Sequence, residues 1–164
     1  MPALIKGELD GRGMRLAVVV SRFNQMLTER LLTGAQEALA KHGVDPESVD
    51  VVQVPGSFEL PLAAKRLAET GRYQAVVCLG CVLRGETPHF DYVAGQAAAG
   101  IGRVGLDTGV PVAFGVVTAD TLQQALDRAG GRSGNKGFDA VVTAIEMANL
   151  MKEIGALEGK ETGD

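Results

Sequence analysis

Tryptophan is absent from this chain, and its five phenylalanines and two tyrosines make up only 4% of 164 residues. With aromatics this scarce, each phenylalanine outside an apolar run invites explanation, and Phe23, Phe58 and Phe114 are the ones that stand out. An excess of basic residues is missing too. Sixteen Lys and Arg against twenty Asp and Glu leave a formal charge of −4, with the two signs interspersed. A nucleic-acid partner requires a basic face, so that class is set aside. No apolar run approaches the roughly 18 residues of a membrane span, and Met1 to Met14 lacks the basic start and apolar centre of a signal peptide. A cytoplasmic protein without membrane contact is expected. There are only two cysteines, in the run Cys78-Leu79-Gly80-Cys81. Within a strand, three steps place them on opposite faces about 10 Å apart, too far for a disulfide. With no second Cys/His pair to complete a zinc site, buried apolar cysteines and no metal are expected.

What the sequence does contain is alternation. Four short apolar runs, Met14 to Val20, Val49 to Val54, Ala75 to Val82 and Pro111 to Val117, read as strands, and Ala75 to Val82 reads as one buried on both faces. Between and after them lie segments of helical length, from about Met26 to His42, Glu59 to Thr70, Phe90 to Asp107, Thr121 to Ala129 and Phe138 to Ile154. Gly43 and Gly71 fall where the first two should stop, and Asp120 stands where the fourth should be capped. Strict alternation implies parallel strands joined by crossover helices. The expected architecture is a single α/β domain over residues 1–164, a three-layer α/β/α sandwich with a four-stranded parallel sheet of flavodoxin-like type. Ala3 to Leu9 is a candidate N-terminal edge strand, for its own sheet or a neighbour's. Glu158 to Asp164 reads as a frayed, charged tail.

Two glycine patterns tempt. Gly100-Ile101-Gly102-Arg103-Val104-Gly105 has the letters of a dinucleotide fingerprint, but it falls late in a helix instead of between a strand and a helix start. Small residues permitting close helix packing are the better reading. Gly130 to Gly137 resembles a phosphate-cradling loop in composition but follows no strand. It reads as a solvated turn, although Arg128 and Lys136 bring cations close to a glycine-rich helix start, where an anion is favoured.

In an open parallel sheet, ligands bind beyond the carboxyl ends of the strands. That rim receives Phe23 and Asn24 after the first strand, Gly56, Ser57, Phe58 and Glu59 after the second, and Gly85 to His89 after the third. An aromatic face, an acceptor carboxylate and hydroxyl and amide donors suit a planar polar ligand bearing hydroxyls. His89 adds a group able to carry protons near neutrality. Structural alternatives stand beside these roles: His89 in a turn, Phe58 and Phe114 in the core, Glu59 as a helix first-turn carboxylate.

The ordered set Ser21-Arg22-Phe23-Asn24, Val54-Pro55-Gly56-Ser57-Phe58-Glu59, Arg84 to Tyr92, Gly134-Asn135-Lys136-Gly137 and Ala144 to Leu150 resembles the 6,7-dimethyl-8-ribityllumazine synthase family. The likeness runs from about Gly7 to Met151. It implies condensation of 5-amino-6-(D-ribitylamino)uracil with 3,4-dihydroxy-2-butanone 4-phosphate, the penultimate step of riboflavin biosynthesis, with no metal or bound cofactor. It further implies that Phe23 stacks on the pyrimidine, that Asn24, Ser57 and Glu59 hold the pyrimidine and ribityl groups, and that Gly56 and Phe58 belong to the same substrate site. Backbone groups of Cys81, Val82 and Leu83 would read the pyrimidine edge, and Gly85, Glu86 and Thr87 would line the phosphate site. His89 would be catalytic. Phe114 and Arg128 would come from an adjacent subunit, with Lys136 nearby and Arg128 gripping phosphate. The family forms homopentamers, some closed into icosahedral capsids, and riboflavin synthase is a partner the resemblance brings with it. Glu86 departs from the small residue common there, and its side chain is expected to face solvent. A flavin-binding module without chemistry and a purely structural shell are the competing classes.

Overall fold

The structure is a computed structural model and describes residues 2–159. Its sheet holds four parallel strands in the order β2-β1-β3-β4. These are β1 (Leu16–Ser21), β2 (Val49–Val54), β3 (Ala75–Leu83) and β4 (Val112–Ala119). The crossovers carry α1 (Gln25–Lys41), α2 (Leu60–Glu69) and α3 (His89–Thr108), and β4 is followed by α4 (Leu122–Arg128) and α5 (Lys136–Gly155). Short 3₁₀ turns at Pro46–Ser48 and Ser57–Glu59 flank β2.

Side chains of a strand alternate between faces, and here that period sorts the core into two layers. Leu16, Val18, Val20, Val77, Leu79 and Val117 pack against Leu27, Leu31 and Leu39 of α1 and Val141 and Ile145 of α5. Ala17, Val19, Val76 and Val116 pack against Leu60 and Ala64 of α2 and Ile101 and Val104 of α3. Every residue of β1 is buried, as is all of β3 up to Val82. This is the expected three-layer α/β/α sandwich of flavodoxin-like type. The cysteines obey the same alternation: Cys81 belongs to the first layer and Cys78 to the second, and both are free thiols.

Strand and helix limits agree with the sequence reading to within about two residues, the usual fraying of element ends. Gly43 and Gly71 do close α1 and α2, both with positive φ (83° and 70°) that a side chain disfavours. Three expectations need correction. Thr121, not Asp120, caps α4, its hydroxyl accepting from the Gln124 amide at 3.2 Å. Residues 3–9 form no strand in this sheet. The end of this segment lies on α5, where Gly7 approaches so closely that a Cβ would stand 1.9 Å from the Glu146 carbonyl oxygen. The Asn149 amide donates to the carbonyls of Glu8 (2.6 Å) and Asp10 (2.9 Å), fixing the segment there. Residues 130–137 are not a plain solvated turn, because β5 (Ala129–Gly131) pairs antiparallel with β6 (Gly134–Asn135). Of the tail expected from Glu158 onward, residues 160–164 lie outside the described residues.

Packing explains one glycine in the first pattern and part of the second. A Cβ at Gly100 would come within 2.6 Å of the Pro61 ring, so this glycine lets α3 lie on α2. Asn135 caps α5, its side-chain oxygen accepting from the amides of Gly137 (2.8 Å) and Phe138 (3.2 Å). Its Nδ2 donates to the Arg30 carbonyl of α1 at 3.0 Å. A Cβ at Gly137 would stand 2.1 Å from the Leu31 carbonyl oxygen. The start of α5 is therefore built to join α1, and two of the amides expected to favour an anion are occupied by Asn135.

Candidate functional site

Parallel strands end on the same side of the sheet, so the loops after β1, β2 and β3 converge. In this strand order the chain turns to opposite sides of β1, toward β2 and then β3, and a crevice is left where the directions part. The structure has a cavity of about 510 Å³ at that place. Its lining includes Phe23, Asn24, Gly56, Ser57, Phe58, Glu59, Cys81, Val82, Leu83 and His89, all of them residues the sequence put forward.

The first loop is held in an unusual backbone state. Asn24 adopts φ 62°, ψ 46°, and among the described residues it is the single non-glycine with positive φ. Asparagine tolerates the left-handed region better than most residues, but the conformation needs external support. Two neighbouring contacts supply it: Arg22 and Phe23 donate their amides to the carbonyls of Val54 (2.8 Å) and Pro55 (2.9 Å), tying the loop to the end of β2. The Asn24 amide then reaches β3, donating to the Cys81 carbonyl at 2.9 Å. This loop leaves the Phe23 ring 71% exposed at the cavity wall.

The second loop brings Ser57 and Glu59 in on one 3₁₀ turn. Ser57 is buried, and its hydroxyl has no hydrogen-bond partner; the hydroxyl of Ser21 is in the same condition. Both flank Gly80, where a Cβ would stand 2.5 Å from Ser57 Oγ and 3.2 Å from Ser21 Oγ. A buried hydroxyl without a partner is costly, and Ser57 is also among the residues that line the cavity. The Glu59 carboxylate folds back over Gly56, with Oε1 3.3 Å from where a Cβ would be. Phe58 is 56% exposed and Phe114 37% exposed, so neither is the core residue that its type suggests.

β3 contributes its backbone. Its register with β1 stops at Leu79, whereas pairing with β4 continues through Cys81, Val82 and Leu83 to Ala119. The β1-facing edge of these last residues is therefore free of a strand partner, and the cavity lies there. Burial pushes the Cys81 thiol up to about 11 and the Cys78 thiol up to about 12, so both are neutral and inert at physiological pH. Cys81 serves through its carbonyl.

Beyond Leu83 the chain forms an exposed loop, residues 84–88, and enters α3 at His89. Glu86 is exposed, with its neighbours in the loop. The Thr87 hydroxyl accepts from the His89 amide at 3.4 Å. Gly85, Glu86 and Thr87 precede the N-terminus of a 20-residue helix, whose dipole favours negative charge, although the first-turn amides of Asp91 and Tyr92 already donate to the Pro88 carbonyl. His89 stands where that helix meets the cavity. Tyr92 and Val93 line the same wall, and sequence reasoning did not name them. Their signal was helical spacing, since residues three and four beyond His89 share its face.

Phe114, Arg128 and Lys136 do not line the cavity. Phe114 sits on the edge strand β4 with the Lys136 ammonium 5.8 Å from its ring centroid. Arg128, at the end of α4, lines a separate polar hollow of about 360 Å³ with Arg84, Phe90 and Asp120. Among the described residues no helix is long and apolar enough to cross a membrane. Against known families, residues 13–152 match the model described as 6,7-dimethyl-8-ribityllumazine synthase.

Proposed function

The chain belongs to the 6,7-dimethyl-8-ribityllumazine synthase family, whose members make lumazine for riboflavin biosynthesis, and from that premise we propose the reaction and the residues that carry it out. The protein condenses 5-amino-6-(D-ribitylamino)uracil with 3,4-dihydroxy-2-butanone 4-phosphate, releasing water and inorganic phosphate. The observation that carries this reading is the pairing of His89 with Phe23 on one cavity, at the start of a long helix. One wall offers an aromatic face for a planar ring, and the other offers a proton carrier beside an anion-favouring helix end.

The pyrimidine stacks on Phe23 and presents its polar edge to the backbone of Cys81, Val82 and Leu83. Ser57, Asn24 and Glu59 take the remaining amide and ribityl groups, and Phe58 closes the side of the pocket. The phosphate rests on the amides of Gly85, Glu86 and Thr87. The ring amine attacks the ketone, and loss of water gives an imine. Removal of a proton from the carbon skeleton accompanies departure of phosphate, and the ribitylamino nitrogen closes the second ring with loss of a second water. His89 accepts and returns protons along this path, a role suited to an imidazole.

Phe114, Arg128 and Lys136 lie away from the cavity within one chain, and the reading assigns them to a neighbouring subunit's site in a homopentamer. Closure of pentamers into a capsid and enclosure of riboflavin synthase belong to the same family reading. The test is direct: mix the protein with both substrates and follow lumazine absorbance and phosphate release together. Coupled appearance of both above the uncatalysed rate supports the synthase. Binding of lumazine or riboflavin without turnover overturns it in favour of a flavin-binding protein.

A further inference from the structure

We propose that Arg84 is a positioning residue for phosphate binding: its backbone amide anchors the start of the loop that receives the anion, and its guanidinium holds the end of that loop against the turn leading to Arg128. The inference rests on the reading above and deepens it. Gly85 to Thr87 are exposed, and a Cβ at Gly85 would meet nothing within 4 Å, so neighbouring structure does not shape this loop from outside. Its geometry depends on its ends, and Arg84 touches each of them. The Arg84 amide donates to the Ala119 carbonyl at 2.9 Å, extending the β3–β4 ladder to the first residue of the loop. Its guanidinium lies 4.3 Å from the Phe90 ring centroid and 3.6 Å from the Asp91 carboxylate, both in the first turn of α3. Its Nε donates to Asp120 Oδ1 at 2.7 Å.

From Asp120 the contacts continue along α4. The Asp120 amide donates to the Gln124 side-chain oxygen at 2.8 Å, and Arg128 Nη1 donates to the Gln124 carbonyl at 3.1 Å. Arg84 thus connects the phosphate loop of its own site with the arginine offered to a neighbouring one. Charge gives the contact a second purpose. Asp91 and Asp120 are both carboxylates, and Arg84 is placed between them. Without it, the two carboxylates flanking the loop lose their common partner, and the first turn of α3 is released from Asp120. Lysine cannot substitute, because only a planar fork stacks on a ring and addresses two carboxylates together. Both ion pairs are solvent-exposed, and such pairs add little to global stability. The effect is therefore expected in substrate binding and not in unfolding.

The experiment is steady-state kinetics with each substrate varied, together with calorimetry of inorganic phosphate binding, on wild type, Arg84→Ala, Arg84→Lys and Arg84→Ala/Asp120→Asn. We expect Arg84→Ala to raise KM for the butanone phosphate and Kd for inorganic phosphate by roughly fivefold. The KM for the uracil substrate and the thermal midpoint should stay nearly unchanged. The double variant should recover part of the phosphate affinity, because one unpaired carboxylate is gone. If Arg84→Ala fails to fold, Arg84→Lys is read in the same way, with a smaller expected rise. Equal increases in both KM values, or a fall in thermal midpoint without any change in phosphate binding, overturn the assignment of Arg84. A wild type that makes no lumazine overturns the synthase reading instead, and the phosphate Kd still decides the role of Arg84.

Discussion

The side-chain amide of Asn24 donates to the backbone carbonyl of Cys81 at 2.9 Å, bridging the loop after β1 to the strand beside it. Asn24 holds a left-handed backbone at the same time. Asn24→Ala loses the bond and adds strain, so we expect a stability loss of about 1–2 kcal/mol. Asn24→Gly relieves the strain but still loses the bond. Urea unfolding should rank glycine above alanine, while both variants show a similar rise in KM for the uracil substrate. If alanine proves as stable as wild type, the bridge does not hold the loop.

His89→Ala should lower kcat by about 10²-fold or less and leave the thermal midpoint in place, since the side chain is exposed. Departing phosphate is itself a weak base and lightens the demand on the imidazole. Unchanged kcat in a folded variant would remove His89 from the mechanism.

Gly80→Ala pushes a methyl group into the hydroxyl of Ser57, 2.5 Å from its position, and against Leu60 at 3.0 Å. Overpacking of this kind costs about 1–3 kcal/mol. Because Ser57 lines the cavity, KM for the uracil substrate should rise more than KM for the butanone phosphate. A stability loss with both KM values intact would mean that Ser57 has no part in binding.

The thiols predict an alkaline weakness. Unfolded cysteines release their protons near 9.0, whereas burial raises Cys81 to about 11 and Cys78 to about 12. Between those values the folded state retains protons that the unfolded state has lost. Their contribution is therefore fully present below pH 9, falls as pH rises from there, and is gone once both folded values are passed. Cys78→Ala should flatten this decline, measured as urea midpoints at neutral pH and near pH 10. An equally steep decline in the variant would assign the alkaline loss to other groups.

The strands and most helix limits were legible because short β-branched runs bounded by turn residues mark strands, and β2 occupies Val49–Val54 as read although only Val54 of it is buried. The lining of the cavity was legible for a related reason: the rim of a parallel sheet is reached by whatever follows each strand. What escaped were contacts between distant segments. Asn135 and Arg30 are 105 residues apart, and nothing local to either announces that one amide will both cap α5 and hold α1. The segment before residue 10 carried a strand-like pattern, but its course along α5 depends on Asn149, far along the chain. Asp120 and Thr121 are both good caps by type. Tertiary context decided between them, with Asp120 drawn away to Arg84.

The cavity takes all its lining from residues 23–93, while Phe114, Arg128 and Lys136 come from the last third of the chain and stay outside it. If those three serve a neighbour, inheritance follows an uncommon rule. Two defective alleles, one damaged at His89 and the other at Arg128, would each be impaired alone. Expressed in one cell, they would produce some mixed rings in which an intact early part faces an intact late part, and growth without added riboflavin would return.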